Sequence, residues 1–312
     1  MGSKNMSYDE TISLDKSFHL SVLKLHSSPV ITNADLYQIL LDLYREAEFE
    51  GIKIGKISKE KPDDAIFKKK VSLLEQNGVL TPLIDNRAYV ISGKGKFSAE
   101  QAGCYLYLFS NLCYLSAMEY HGLTERMPKV IQIMIPDKEN YQELLHKKYS
   151  ESYIEENTHL KYRSIEIKKK IENKTFKYYK NKNFSLCKEV ADSGGIRVSS
   201  IGRTFLDMLQ KPDECGGLNH VIDVLEENFE TYKRLIIKEF DRNAKSIDKA
   251  RLGFIIESLL DITDSKFDEW AKNAQRGGSR KLSARDEFSP YYSEKWCISI
   301  NLERFEQYGT RN

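Results

Sequence analysis

The stretch from Arg203 to Gly217 (RTFLDMLQKPDECGG) holds residue types that carry out chemistry in enzymes. An arginine, an aspartate four residues later, a cysteine and two glycines fall close together. A cysteine can act as a nucleophile, and an arginine can stabilise developing negative charge. The same letters also describe two joined helices, because Pro212 cannot continue a helix and Asp213 suits the cap of the next one. We expect Arg203 and Asp207 to form an exposed i,i+4 pair that contributes only tenths of a kcal/mol.

The wider sequence favours the architectural interpretation over catalysis. It contains no GxxxxGK[ST] loop, no GxGxxG after a strand, no HExxH and no GxSxG. His121 stands near a helix end before Gly122, where a capping or packed histidine is far commoner than a catalytic base. The five cysteines are widely spaced, without a CxxC pair. The prediction is therefore a protein that is not an enzyme, with no catalytic residue, cofactor or metal.

The N-terminal third predicts three helices followed by a hairpin. The first helix covers 15–27, with an apolar face of Phe18, Val22 and Leu25, and the second begins after a Thr32 or Asn33 cap. The third helix covers 62–78. Two short strands then flank a turn at 85–87. This order predicts a winged helix-turn-helix over 15–95, a relative of the helix-turn-helix DNA readers.

The remaining residues, 96–312, predict a mixed α/β domain rich in helices, so that the whole chain is α+β. A helix from 99 breaks near Ser110, and a buried strand covers 130–136. Further strands are expected at 164–170, 174–180 and 185–190. Residues 200–275 are almost wholly helical in pattern, with Ser199 or Ser200 as the first cap. No apolar run is long enough to span a membrane and the N-terminus lacks the apolar core of a signal peptide, which predicts a cytoplasmic protein without membrane contact.

Lysines are concentrated around the third helix. Residues 51–70 hold seven lysines against three acids. Lysine contacts to phosphate supply affinity without sequence information, whereas polar side chains on the exposed helix face can read bases. Lysines that merely solvate a helix are the alternative. The predicted DNA-binding residues are Ser58, Lys59, Lys61, Lys68, Lys69 and Arg87.

A second basic segment covers residues 161–188, with ten basic side chains against two acids and interleaved aromatics. Such a surface can extend a footprint on duplex DNA or hold RNA. A strand edge protected by lysine is the alternative, and both stay open. The predicted auxiliary nucleic-acid surface consists of Lys168, Lys169, Lys170, Lys174, Lys177, Lys180 and Lys182.

Three segments together resemble a known family. YLSAMEYHGLTERMP (114–128), the long stretch at 196–227 and KLSARDEFSPYYSEKWCISIN near the end are similar to the AbiEi antitoxins of bacterial abortive-infection systems. The resemblance covers roughly residues 100–301. The matching residues, which we call the family signature, include His121, Gly122, Arg203, Asp207, Pro212, Gly216 and Gly217. We expect them to preserve architecture.

The resemblance implies a DNA-binding antitoxin of a type IV toxin–antitoxin system that acts in phage defence. Such a protein represses its own promoter by binding inverted repeats, often with self-association on DNA. It counters a nucleotidyltransferase toxin without a stable complex. Two alternatives stay open: a nucleic-acid-acting enzyme or RNA-binding protein that uses the basic C-terminal strands, and an antitoxin that binds its toxin directly through the acidic segment 213–230.

Overall fold

The protein is described by a computed structural model that covers residues 11–57, 59–84, 87–162, 170–171, 173–191, 193–274 and 280–311. Helices and small three-stranded sheets make it a mixed α+β protein, as predicted. The chain forms two compact units. Unit 1 contains residues 1–111 and 133–197, and unit 2 contains residues 112–132 and 198–312. The predicted modules, 15–95 and 96–312, divide the chain differently and stay a prediction.

Helices and short strands alternate through the first part of the chain. The elements are β1 Thr11–Ser13, α1 Leu14–Leu25, β2 Val30–Thr32, α2 Asn33–Glu46, β3 Glu48–Phe49, β4 Ile52–Gly55, α3 Asp64–Gln76, β5 Leu80–Ile84, β6 Ala88–Ile91, α4 Ala99–Leu106, β7 Asn111–Leu112, α5 Tyr114–Tyr120 and β8 Val130–Pro136.

The second part is dominated by helices. It contains α6 Lys138–Lys148, α7 Glu151–Glu156, β9 Thr175–Asn181, α8 Ile201–Gln210, α9 Leu218–Asn243, α10 Ser246–Leu260, α11 Ser265–Lys272, β10 Tyr291–Ser293, β11 Ile298–Ser299 and β12 Thr310–Arg311. Short 3₁₀ helices lie at Thr158–Leu160, Pro212–Cys215 and Glu303–Tyr308.

Local capping explains where α2 begins. Thr32 accepts a hydrogen bond from the Asp35 N–H at 3.3 Å, and Asp35 accepts one from the Thr32 N–H at 3.0 Å. This reciprocal capping box satisfies two backbone donors that the first helical turn leaves free. It decides between the two predicted caps in favour of Thr32, so that Asn33 is the first helical residue.

The predicted N-terminal helices are present with two corrections. Phe18 and Val22 of α1 are buried, but Leu25 is 68% exposed because α1 ends at this residue, beyond the core. The α3 helix ends with Asn77 as its C-cap, and Gly78 follows in the left-handed region with φ 71°. The predicted range was 62–78, so the helix is two residues shorter at each end.

Strands β5 and β6 form the predicted hairpin, although Asp85 and Asn86 of its turn lie outside the described residues. Strand β2 pairs antiparallel with the other edge of β6, which gives the order β2-β6-β5. A second sheet has the order β1-β4-β3, with β1 parallel to β4. The apolar faces of α1, α2 and α3 share one core with Ile31 and Tyr89.

The helix that begins at Ala99 breaks near Ser110, as predicted. Ser110 is fully buried, and its Oγ lies 2.9 Å from the carbonyl oxygen of Cys104, near the end of α4. The strand predicted at 130–136 is present as β8, between β7 and β9, and the chain passes from unit 2 to unit 1 within it.

The other predicted strands had mixed outcomes. Strand β9 confirms the strand expected at 174–180, whereas residues 163–169 lie outside the described residues. The strand predicted at 185–190 was wrong. The Asn111 side chain accepts from the Cys187 N–H at 3.0 Å and donates to the Ser185 carbonyl at 2.8 Å, so a side chain takes the place of a neighbouring strand.

Unit 2 has a helical core with aromatic filling, which confirms the pattern predicted for 200–275. Two glycines allow close packing there. A Cβ atom at Gly202 of α8 would lie 2.5 Å from the Leu235 carbonyl oxygen of α9. A Cβ atom at Gly253 of α10 would lie 2.1 Å from the Trp296 ring. Strand β10 pairs with β11 and β12 near the C-terminus.

Candidate nucleic-acid interface

Helix α3 exposes two of its three adjacent lysines. Asp63 caps the helix by accepting from the Ile66 N–H at 2.8 Å. Phe67, Val71 and Leu74 are buried, and the helical period therefore turns Lys68 and Lys69 to solvent. Lys70 instead forms an ion pair with Asp15, and its side chain is only 17% exposed. The outward charge of α3 is thus carried by two lysines.

The residues just before α3 differ in how readily their side chains could contact DNA. Lys59 Nζ lies 2.6 Å from Asp63 Oδ2, and this hydrogen bond raises the pKa of Lys59. A phosphate would have to compete with Asp63 for that lysine. Lys61 is exposed, and no ion pair involves it among the described residues. Ser58, a predicted base-reading residue, lies outside the described residues.

Arg87 lies just before β6, on the described side of the hairpin turn. Its side chain is exposed, and its backbone carbonyl accepts from the Asn33 N–H at 3.0 Å. This bond ties the hairpin to the first residue of α2. The position at the hairpin end fits the sequence-based expectation, and the contact with DNA stays a prediction.

The basic segment around β9 divides its side chains between two faces. Phe176 packs over Gly103, and the Tyr178 ring lies 4.7 Å from the Tyr107 ring, so these two aromatics face inward. Lys177 lies over the Tyr179 ring at 4.8 Å on the other face. Tyr179 therefore shares a face with Lys177, whereas strand alternation puts Lys180 on the same face as Phe176 and Tyr178.

The predicted auxiliary lysines are not equivalent. Lys174 is bound to Glu100 at 2.6 Å, with both side chains largely covered, which makes it a link between β9 and α4. Lys180 lies over the Tyr162 ring at 5.9 Å and is exposed, as are Lys170 and Lys182. Lys168 and Lys169 lie outside the described residues. Because β9 ends the sheet order β7-β8-β9, both the nucleic-acid and the edge-protection interpretations stay open.

The family-signature residues in unit 2 hold neighbouring segments of the fold together. His121 is the C-cap of α5, and its Nε2 lies 2.7 Å from the Ser199 carbonyl oxygen. Burial lowers the pKa of His121, which favours the neutral ring. Gly122 follows with φ 67°, a conformation that suits glycine. This histidine joins the end of α5 to the segment that starts α8.

The ion pair between Arg203 and Asp207 was expected to be exposed, and that prediction was wrong. Asp207 is 2% exposed, and Arg203 Nε donates to its Oδ1 at 2.8 Å. Among the described residues, the other carboxylate oxygen, Oδ2, has no hydrogen-bond partner. Burial raises the pKa of Asp207 to about 6, against the opposing charge of Arg203. The cause is the packing of α8 against α9, which covers this side of the helix.

The residues from Ser200 to Gly217 also serve capping and packing. Ser200 is the N-cap of α8, and it accepts from the Arg203 N–H at 3.3 Å. Pro212 begins a 3₁₀ helix, and Asp213 pairs with Arg285 at 2.6 Å. The prediction that Asp213 caps α9 was wrong, because Gly216 and Gly217 follow with φ 91° and 97° and α9 begins after them.

Cys215 lies in the same stretch and is fully buried. Burial raises the pKa of its thiol well above the ordinary value, with the nearby Asp207 as the next cause. A thiolate nucleophile requires the opposite shift and access to solvent. Cys104, Cys113 and Cys297 are buried as well. In the described part of the chain, no three His, Cys, Asp or Glu side chains are grouped to hold a metal ion.

The structure also brings together residues that sequence analysis did not single out. Tyr105, Tyr149, Lys148 and Arg197 line one cavity in unit 1, although they come from distant segments. No local spacing links them, so a signal for this grouping exists only in three dimensions. Among the described residues no helix is long and apolar enough to cross a membrane.

Comparison with known proteins identifies the helical region. Residues 111–258 match the family model of the AbiEi antitoxin C-terminal domain. No curated protein matches significantly. The crystal structure of the RV2827C protein from Mycobacterium tuberculosis aligns with a TM-score of 0.47 and 11% identity, over 95% of this chain and 94% of that chain. A likeness this distant says nothing about function. The matched region holds the signature residues from His121 to Gly217, and residues 111–258 are thus similar to an AbiEi antitoxin C-terminal domain.

Proposed function

We propose that the protein represses its own operon by binding promoter DNA and that it counters a nucleotidyltransferase toxin without forming a stable complex. The antitoxin role rests on the family match. The DNA-binding role is supported by α3, which presents Lys68 and Lys69 outward, without an ion pair among the described residues. This outward pair is the observation that carries the proposal.

The arrangement around α3 supports the same proposal. Three helices precede the β5–β6 hairpin, and β2 completes a small sheet with order β2-β6-β5. A winged helix-turn-helix combines a groove-binding helix with such a hairpin. In this protein α3 would enter the major groove, and Arg87 would approach the backbone from the hairpin. Promoter DNA with inverted repeats would then bind two copies of the chain.

Reversing the charge of the outward lysines tests the DNA-binding proposal. The double variant Lys68→Glu, Lys69→Glu should bind every duplex about a hundredfold more weakly, since it removes two phosphate contacts and adds repulsion. The dependence of log affinity on log salt should become shallower by about two. Gel shifts with a duplex from the operon's own promoter and a scrambled duplex of equal length measure both effects.

A matched control separates this effect from net charge. Lys238 and Lys272 are exposed lysines of unit 2, and reversing both changes the total charge equally. Binding by that control should stay close to that of the unaltered protein. If both double variants lose affinity equally, or if neither does, α3 is not the recognition surface.

The auxiliary role of the β9 surface has its own test. The double variant Lys177→Glu, Lys180→Glu should weaken promoter binding about tenfold if the lysines of β9 extend the DNA footprint. A variant that binds DNA normally would instead favour a lysine-protected sheet edge. Circular dichroism of the variant checks that the strand is retained.

Direct binding of the toxin through residues 213–230 is less well supported. Arg304 lies 2.6 Å from Asp223 and 2.5 Å from Glu226, so two acids of this segment already have a cationic partner. An enzymatic role has no observation in its favour either, because His121, Asp207 and Cys215 are engaged in packing. The match of residues 111–258 to an antitoxin domain favours a role without catalysis.

A further inference from the structure

A cavity of about 260 Å³ lies within unit 1. Its walls come from the start of α2, the hairpin at Arg87, the end of α4, helix α6, the 3₁₀ helix Thr158–Leu160 and the loop around Arg197. All of these segments belong to unit 1. The cavity is separate from the outward face of α3, since neither Lys68 nor Lys69 lines it.

Tyrosine rings form much of the cavity wall. Five tyrosines line it, and they are Tyr105, Tyr107, Tyr141, Tyr149 and Tyr162. The Tyr141 and Tyr162 rings lie 5.3 Å apart between centroids, and the Tyr141 hydroxyl donates to the Leu160 carbonyl at 2.8 Å. Such fixed rings provide planar surfaces on which a base can stack.

A glycine supports this aromatic wall. Gly195 has φ 99°, and a Cβ atom there would lie 2.8 Å from the Tyr105 ring. The loop backbone therefore passes directly against the ring, and a larger residue would displace it. The Tyr105 ring is held on another side by His26, with centroids 5.7 Å apart.

Four cationic side chains line the same cavity: Arg87, Lys148, Lys161 and Arg197. Within the described part of the chain, none of them forms an ion pair. Arg197 is fixed in place, because its Nε donates to the Ser110 carbonyl at 2.9 Å and its Nη2 to the Cys104 carbonyl at 2.9 Å. Burial and the positive charge of Arg197 both lower the pKa of Lys148.

Among the residues that the structure describes, two carboxylates line the cavity, Asp35 and Glu189. Asp35 is already engaged, since its Oδ2 accepts from the N–H and the hydroxyl of Thr32. The four cations against two acids leave a positive excess, which favours an anionic ligand. The ligand chemistry that matches both the rings and the charge is a planar base joined to a phosphate.

We propose that this cavity binds one nucleotide, with the base against the tyrosines and the phosphate near Lys148 and Arg197. The volume lies just under the roughly 300 Å³ at which small-molecule pockets begin, which suits a single nucleotide better than a larger cofactor. The nucleotide is either free in solution or an unstacked residue of a single strand. The inference is independent of promoter binding by α3.

Calorimetric titration of the full chain tests this site. The probes are AMP, GMP, CMP and UMP, adenosine as a ligand without phosphate, and a single-stranded oligonucleotide of about ten residues. We expect saturable binding of at least one nucleotide probe, and adenosine should bind at least about tenfold more weakly than AMP if AMP binds. That factor corresponds to one charge-assisted hydrogen bond.

Two neighbouring lysines of α6 provide a matched pair of variants. Lys148→Glu should weaken nucleotide binding at least about tenfold, since it places a carboxylate beside the phosphate. Lys147→Glu makes the same charge change on an exposed residue that does not line the cavity, and it should change affinity less than about twofold. Tyr162→Leu should also weaken binding, through lost stacking.

The outcomes separate the two sources of the ligand. Binding of a mononucleotide that depends on Lys148 indicates a free nucleotide. Binding of the oligonucleotide alone, with the same dependence, indicates a residue of a single strand. Thermal melting in the absence of ligand verifies that each variant is folded. The proposal is overturned if no probe binds, or if Lys147→Glu and Lys148→Glu have equal effects.

Discussion

Replacing Gly253 by alanine is expected to lower the free energy of unfolding of unit 2 by about 3 kcal/mol. In an ordinary helix interior this change would stabilise the protein by up to about 1 kcal/mol, because alanine has the higher helix propensity. Here the new methyl group would lie 2.1 Å from Cη2 and 2.3 Å from Cζ2 of Trp296. The sign of the effect therefore reports the close approach of α10 to the indole ring.

The indole ring has little freedom to move away. Trp296 is 1% exposed, and its Nε1 donates to Glu257 Oε2 at 2.7 Å. Phe267 also lies against it, with ring centroids 6.3 Å apart. Relief of the clash would therefore require a shift of α10 itself, and dense packing transmits such shifts to neighbouring side chains.

Urea denaturation followed by tryptophan fluorescence measures the change, since both tryptophans, Trp270 and Trp296, belong to unit 2. A second background tests the cause. In a Trp296→Phe variant, which has a smaller ring, Gly253→Ala should cost at least about 1 kcal/mol less. Equal costs in both backgrounds would mean that the indole is not the source of the strain.

The features that the sequence predicted well depend on neighbouring residues. The Thr32 cap, the β5–β6 hairpin and strand β8 all have their signals within a few positions of the element itself. Hydrogen bonds at helix ends and turns are local, so that residue types alone specify them. The same holds for the positive φ of Gly216 and Gly217.

The features that the sequence missed depend on distant residues. Asn111 binds the backbone at 185–187 and removes the expected strand, although the two segments are far apart in the chain. The spacing of Arg203 and Asp207 was read correctly, but their burial follows from α9, which approaches through Gly202. The tyrosine-lined cavity is likewise built from residues far apart in the sequence, from Thr32 to Arg197.

These observations divide the protein's polar residues into two groups. Those in the family signature have partners inside unit 2, as with His121 and the Ser199 carbonyl, or Arg203 and Asp207 at 2.8 Å. The cations on which the two binding proposals rest, such as Lys68, Lys148 and Arg197, have no carboxylate partner among the described residues and lie in unit 1. Both proposed anion-binding sites therefore lie in unit 1, whereas the signature maintains the fold of unit 2.

Asp207 gives the sharpest test of that structural role. Asp207→Ala should lower the free energy of unfolding by about 3 kcal/mol at pH 7, because Arg203 is left as a largely covered charge without its partner. A double variant with Arg203→Met should recover part of this loss, since it removes the uncompensated charge. If the two substitutions are additive, the ion pair contributes nothing specific.

The pH dependence of stability provides an independent measurement. The pKa of Asp207 is raised from 3.8 to about 6 in the folded protein, so the folded state holds the proton more tightly than the unfolded state. The resulting contribution is fully present below about pH 3.8 and is lost as the pH rises through about 6. Between pH 7 and pH 5, protonation of Asp207 should therefore stabilise the protein by about 1 kcal/mol.

His121 acts in the opposite direction, and the two groups must be separated. Burial lowers the pKa of His121 below 6.5, so its contribution is present above that value and is lost as the pH falls. The pH dependence of stability in the unaltered protein therefore shows only the sum of the Asp207 and His121 contributions. Asp207→Asn removes one titration and leaves His121 in place. From pH 7 to pH 5, the free energy of unfolding of the unaltered protein should rise by about 1 kcal/mol relative to that of this variant. A difference that does not change with pH would mean that Asp207 does not titrate in this range, and that Arg203 keeps its carboxylate ionised despite burial.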